Sequence, residues 1–265
     1  MTRRKLLIGG GAAIVSAGGV FLASHHQLRV TRHEVPWRTR RRVRVAHLTD
    51  VHVGWSTPPA MLAAAVEATI EARPDLVVLT GDYVNHSLTH ASRLEAFVRA
   101  LPGPKLATLG NHDHWTDAKA IAELLTRGGA KVLVNGRAEA AGVSVVGIDD
   151  SVTHHHDVEA AFAGAPDADH LVLSHSPGIA VPIVEQGGAR LILSGHTHGG
   201  QVRVPVLTAA VARRRGMPFL SGSTAVDDAL LYVNAGLGHT RRGLRYGRGT
   251  APELALFDLV PRTNA

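Results

Sequence analysis

From residue 43 onward the chain alternates short apolar runs with alanine-rich stretches whose apolar positions recur at helical spacing. Residues 43–48, 76–80 and 105–109 predict buried strands, followed in turn by helices over 58–72, 93–101 and about 117–125. Further strands are expected at 131–134, 143–148, 170–173 and 190–193, with helical turns at 158–162 and 179–185. Beyond Gly195 the pattern turns strand-rich, at 201–204, 230–233 and 254–259. No fixed-period repeat or low-complexity linker divides the chain. Alternating β and α units followed by strands predict an α/β fold, layered sheets covered by helices, from about Leu28 to Val260.

The N-terminus follows a different rule. Residues 1–5 are basic, and residues 6–23 carry no charge, the layout of a secretory signal or a membrane anchor. Thr2-Arg3-Arg4-Lys5-Leu6-Leu7 resembles the twin-arginine export signal, with Leu6 where Phe is favoured and Ile8 where Lys is common. The run is near the lower limit of about 17 residues for a spanning helix. Its glycines, among them Gly9, Gly10 and Gly11, weaken a helix further. Residues 1–24 are therefore expected to be a signal or an anchor, which places the rest at the cell membrane or on its extracytoplasmic face. Cleavage after a small-residue site such as Val15-Ser16-Ala17 and retention both stay open.

Net charge is +6, a balance that suits an anionic partner. Arg38, Arg40, Arg41, Arg42 and Arg44 cluster around residues 25–43, expected to be a basic stalk and first strand region. A solvated stalk or contact with anionic lipid headgroups fits this cluster; specific nucleic-acid recognition does not. With no cysteine, disulfides and thiolate ligands are excluded, so any metal must be held by nitrogen and oxygen. Seventeen histidines, several in short clusters, direct attention to that chemistry.

The informative residues fall where strands end. Thr49-Asp50-Val51-His52 closes the first strand, Gly81-Asp82 the second, and Gly110-Asn111-His112-Asp113 the third. Ser174-His175 and Gly195-His196-Thr197-His198 close two later ones. Ligands of open α/β sheets bind beyond the carboxyl ends of the strands. Imidazole, carboxylate and amide oxygen together suit Mn, Fe or Zn better than Mg or Ca. In an extended Asp-x-His or His-x-His segment, alternate side chains point the same way and can reach one ion.

These five ordered motifs resemble the calcineurin-like metallophosphoesterase superfamily over nearly the whole chain. Thr31-Arg32-His33-Glu34-Val35, Gly147-Ile148-Asp149-Asp150, Gly199-Gly200-Gln201 and Pro252-Glu253-Leu254 look like an exported or membrane-associated bacterial branch. The resemblance implies an αββα sandwich of two mixed β-sheets flanked by helices, with residues 44–262 as the metallophosphoesterase domain. It implies two divalent metal ions, Asp50, His52 and His198 holding one, Asn111, His175 and His196 the other, and Asp82 bridging them. A hydroxide between the ions would attack a phosphoester, most simply a phosphodiester. His112 would act as the general acid, with Asp113 orienting it. A lipid-linked substrate near the membrane fits the N-terminus. A phosphoprotein phosphatase and a membrane-tethered metal-binding protein without turnover are the alternatives. Oligomeric state is left open.

Other clusters read more simply. His154-His155-His156 is expected to be a solvated loop, since consecutive loop residues point apart. Arg213-Arg214-Arg215 and Arg241-Arg242 read as a solvated face or a phosphate contact. Ala235-Gly236-Leu237-Gly238-His239 lacks the Lys-Ser/Thr of a nucleotide P-loop and reads as a turn. His114 and Trp115 could line the substrate mouth or pack a helix start.

Overall fold

The computed structural model describes residues 27–200, 219–239, 245 and 249–262, and the backbone of two short strands before them. Those two, β1 (Ala13–Ser16) and β2 (Gly19–Leu22), pair antiparallel as a separate ribbon. The remainder of the expected signal or anchor lies outside the described residues. So do the expected strand at 201–204 and the arginines at 213–215 and 241–242. Among the described residues no helix is long and apolar enough to cross a membrane.

The first sheet holds β3 (Arg29–Trp37), β4 (Val43–Leu48), β5 (Leu76–Thr80), β6 (Lys105–Thr108), β7 (Ala130–Val132) and β14 (Glu253–Pro261). Its order is β3-β14-β4-β5-β6-β7, with β4 to β7 parallel and β14 antiparallel to β4. The second holds β8 (Gly136–Ala140), β9 (Val143–Ile148), β10 (His170–Ser174), β11 (Ala189–Ser194), β12 (Gly222–Val226) and β13 (Ala229–Val233). Its order is β12-β13-β11-β10-β9-β8, and the four inner strands run parallel.

Helices α1 (Pro59–Ala72), α2 (Ala91–Ala100) and α4 (Ala118–Arg127) lay Leu62, Leu94, Phe97, Ile121 and Leu125 on the outer face of the first sheet. On the second sheet, α5 (Val158–Phe162) and α6 (Ala180–Glu185) do the same with Phe162 and Ile183. Val45, Leu76, Val78, Leu171, Leu173, Leu191 and Phe257 fill the layer between the sheets. This is the layered α/β sandwich of two mixed sheets that the sequence predicts. The central strands β5 and β10 are buried at every position, which is why they read as continuous apolar runs.

The basic stretch does not stand off as a stalk. Arg29–Trp37 is a full strand, paired with β14 over nine positions from Arg29↔Glu253 to Trp37↔Pro261, so the domain begins before residue 44. The arginines that follow form the corner between β3 and β4. Arg41 meets Asp75 at 2.9 Å, Arg38 meets Asp167 at 3.0 Å, and Arg42 and Arg44 both reach the buried Asp258. Carboxylates from distant elements close this corner, and spacing along the chain carries no trace of them.

One buried histidine makes the sandwich acid-sensitive. His47 of β4 is fully buried, bonds Thr80 Oγ1 through Nε2 at 2.8 Å, and is pushed down to about 3 by burial. The unfolded chain takes up this proton near pH 6.5 and the folded chain does not. Its contribution is therefore complete above about pH 6.5 and falls as pH drops toward 3, by about 1.4 kcal/mol per unit. Urea midpoints of wild type and His47→Leu between pH 7 and 4 should show the shallower acid slope in the variant. Parallel slopes would remove His47 as a cause.

Candidate metal centre

All the inner parallel strands deliver their carboxyl ends to one edge of the sandwich, and their loops are tied to each other by backbone bonds. Asp50 N donates to Gly81 O at 3.0 Å, His52 N to Asp82 O at 3.0 Å, and Gly195 N to His175 O at 3.0 Å. Leu237 N and Gly238 N donate to Thr49 O and Asp50 O at 3.0 and 2.7 Å. Immediately after each strand the backbone turns sharply. Asp50, His52, Asp82, His196 and His198 all have positive φ, between 43° and 69°. For residues with a Cβ this conformation costs about 1–3 kcal/mol each, and such strain concentrates at functional sites.

Glycine gives the loops room where they approach closely. Gly81 has φ +86°, and a Cβ there would lie 2.6 Å from Gly110 N and 2.9 Å from His175 Nδ1. Gly81→Ala is expected to lower stability by about 2–4 kcal/mol through strain and overpacking together. A thermal melt of the metal-free variant measures this, and an unchanged midpoint would show that the loop relaxes freely.

Two groups of side chains converge. Asp50, His52, Asp82 and His198 present ligand atoms within 4.8 Å of one another, and so do Asp82, His175 and His196. Asp82 belongs to both. Asn111 joins the second group, with its Oδ1 2.9 Å from His196 Nδ1. The seven residues that the resemblance implies as ligands are thus brought to one place.

The histidine tautomers are fixed from behind. Nδ1 of His52 faces Val84 O at 3.1 Å, that of His198 faces Gly238 O at 3.1 Å, and that of His175 faces Thr80 O at 2.7 Å. A carbonyl accepts only, so each Nδ1 carries a proton and each ring turns its Nε2 inward. His52 Nε2 and His198 Nε2 then stand 3.3 Å apart. His175 Nε2 is buried without a hydrogen bond, 3.2 Å from Asp82 Oδ2. Lone pairs and carboxylates facing one another in a buried space require a cation.

The electrostatics agree. Burial drives His52 down to about 3 and His196 to about 4, and holds His198 well below its ordinary value. These rings are neutral and ready to donate. Burial lifts Asp50 to about 7. It also opposes charge on His175 and Asp82, but their attraction prevails, raising His175 to about 10 and holding Asp82 well below the usual carboxylate range. Without a metal, a proton on His175 stands where a cation fits. The donor set and its lone pairs suit a divalent metal with mixed nitrogen and oxygen ligation.

His112 lies in α3 (Asn111–Thr116), with its backbone N donating to Asp82 Oδ1 at 2.9 Å. Its Nδ1 meets Asn85 O at 2.5 Å, so Nε2 is the atom left for a substrate. Orientation of His112 was expected from Asp113, and here the structure differs. Both Asp113 oxygens are taken by backbone N–H groups of Gly110, Asp82 and Tyr83, each at 2.9 Å. Asp113 braces the Asp82 loop, and the Asn85 carbonyl holds the His112 ring.

Several contributors have no signal in residue type, because they act through backbone carbonyls. The Ala235–His239 segment is a turn, as its sequence reads, and Gly236 and Gly238 pack against Asp50 and His52. Arg245, buried and far along the chain, donates to the carbonyls of Ala235, Gly236, Gly238 and Thr250. His154 and His155 are exposed, and the His155 ring stacks on His114 at 4.0 Å. His114 bonds Asp149 at 2.8 Å, a packing role. Trp115 is 56% exposed beside His112, with ring centroids 5.0 Å apart, and Trp55 is 97% exposed on the loop that follows His52.

The fold and this edge define a metallophosphoesterase. The sequence model described as Calcineurin-like phosphoesterase matches residues 43–200, and the chain belongs to that family. It is 28% identical to "Uncharacterized metallophosphoesterase YkuE" of Bacillus subtilis, over 98% of both chains. "Phosphodiesterase YaeI" of Escherichia coli is 27% identical over 98% of this chain and all of its own. "UDP-2,3-diacylglucosamine pyrophosphatase LpxG" of Chlamydia trachomatis is 24% identical over 87% of this chain and 88% of that protein. Among solved structures, a dimetal phosphatase from Danio rerio shares 13% identity over 74% of this chain and 88% of its own, with a TM-score of 0.49. The protein is a metal-dependent phosphoric ester hydrolase, in a family that uses a dinuclear metal site.

Proposed function

We propose that this protein is a phosphodiesterase with two divalent metal ions, Asp50, His52 and His198 holding one and Asn111, His175 and His196 the other. Asp82, which belongs to both groups, would be shared by the two ions. The observation that carries this reading is the facing pair of Nε2 lone pairs on His52 and His198, 3.3 Å apart in a buried space. Divalent ions bound here would lower the pKa of water and clamp the oxygens of the transferring phosphoryl group. The chain supplies the rest. Carbonyls of Thr80, Val84 and Gly238 keep three imidazoles in the donating tautomer. His112, held by Asn85 O, presents Nε2 to the leaving oxygen and protonates it as the P–O bond breaks.

The substrate we infer is a phosphoester on a lipid, met at a membrane surface. Supporting this are the uncharged residues 6–23, the relative named for a diacylglucosamine substrate, and two exposed tryptophans, Trp55 and Trp115, around the site. Tryptophan favours the headgroup layer of a bilayer. We place the chain accordingly at the membrane or beyond it.

Hydrolysis of bis-p-nitrophenyl phosphate with Mn²⁺, alongside metal analysis, tests the core of this reading. Two bound ions with no turnover would favour a metal-binding protein. Faster release from a phosphopeptide than from any diester would favour a protein phosphatase. Equal rates on a water-soluble diester and on a lipid phosphoester in vesicles would remove the lipid assignment alone.

A further inference from the structure

The strand ends carrying the candidate ligands have a neighbour whose chemistry is so far unused. Strand β9 ends at Ile148, which pairs in parallel register with Ser174, so Asp149 and Asp150 emerge beside His175. Both are buried. Asp149 has a basic partner: its Oδ1 takes His114 Nε2 and the Asp150 N–H, each at 2.8 Å. Asp150 is not. Its Oδ2 accepts from Thr153 N and Thr153 Oγ1, both at 2.7 Å, while its Oδ1 is buried with no hydrogen bond.

Among the described residues no Lys, Arg or His forms an ion pair with Asp150. A buried carboxylate left in that condition is costly unless a cation is near. The two ligand groups are also unequal in charge. The Asp50, His52 and His198 side has a carboxylate of its own, whereas the Asn111, His175 and His196 side has neutral donors and only a share in Asp82. A dication on that second side lacks one negative charge. Asp150 is close enough to act electrostatically on both His175 and His196, yet its oxygens do not join the tight group of ligand atoms.

We propose that Asp150 is a positioning carboxylate for the second metal ion, its free Oδ1 supplying from beyond the direct ligands the negative charge that the Asn111, His175 and His196 side lacks. This rests on the two-metal reading above. It makes the second ion, and only the second, depend on the end of β9.

The test is stepwise Mn²⁺ binding to the full chain, by calorimetry and by metal analysis after gel filtration, for wild type, Asp150→Asn and Thr153→Val. Groups outside the direct ligands typically change metal affinity about 10- to 100-fold. Asp150→Asn should weaken the second ion by that factor and leave the first within about twofold. Thr153→Val removes one bond to Oδ2 but keeps the charge, so both of its affinities should stay close to wild type. If Asp150→Asn does not yield folded protein, Asp150→Ser, smaller and still able to accept from Thr153, is read in its place. Two unchanged affinities in the Asp150 variant would overturn the proposal. Equal weakening of both ions, shared by Thr153→Val and accompanied by a lower metal-free melting point, would also overturn it and leave a loop brace. Fewer than two ions on wild type would instead sink the two-metal reading itself.

Discussion

Asp82→Asn is expected to strip the protein of both metals and to lower phosphodiester hydrolysis by about three orders of magnitude or more. Its Oδ2 lies 3.2 Å from His175 Nε2 and 3.6 Å from His52 Nε2, one from each ligand group, so a single carboxylate serves both. Loss of several kcal/mol of metal-borne stabilisation, at 1.36 kcal/mol per decade, sets the size of the fall. The metal-free fold should survive. An Asn Oδ1 can still accept the His112 N–H, which keeps the loop in place. Because metal-free wild type holds a protonated His175 against the Asp82 carboxylate, we expect the metal-free variant to melt lower than metal-free wild type. Metal analysis after gel filtration and rates on bis-p-nitrophenyl phosphate check the first claim. A variant that keeps two ions and a tenth of the activity would end the bridging role.

His112→Ala should behave in the opposite way, retaining metals and losing turnover. General acid catalysis contributes about 10²- to 10⁴-fold. An alkyl leaving group needs the proton and should suffer near the upper end of that range, while a nitrophenyl group leaves unaided and should suffer little. The His112 backbone N–H to Asp82 Oδ1 is untouched by the change, so ligand geometry is kept. Equal losses on both leaving groups would mean that His112 orients the substrate and does not protonate it.

The fold was readable in its middle and obscure at its edges, and burial explains the difference. Strands β5, β9 and β10 are buried throughout and announce themselves as apolar runs. Edge strands β8 and β12 expose about every other residue or more, and neither makes an apolar run. β3 carries the polar run Thr31-Arg32-His33-Glu34 and finds its partner, β14, more than two hundred residues later. Its pairing leaves no local mark. The basic corner after β3 shows the same limit, since Asp75, Asp167 and Asp258 are distant in sequence.

The candidate site divides along the same line. Residue type and position at strand ends marked Asp50, His52, Asp82, Asn111, His175, His196 and His198 as chemistry in need of a metal. Asp113 was misread because adjacency to His112 suggests contact, while a helical backbone turns neighbouring side chains apart and sends Asp113 to the Asp82 loop. Asp150 stands out in the sequence only as part of Gly147-Ile148-Asp149-Asp150, because a carboxylate after a strand shows no role of its own until its partners can be counted.

What the sequence determined by itself was the class of fold and the donor atoms, because periodicity and side-chain chemistry are local properties. Tertiary structure decided which atom each donor offers. A histidine has two nitrogens, and only the carbonyls of Thr80, Val84 and Gly238, brought from other strand ends, dictate that Nε2 faces inward. It also decided that Asp82 is shared and that Asp150 keeps an oxygen free, since both depend on distances between segments that no spacing along the chain encodes.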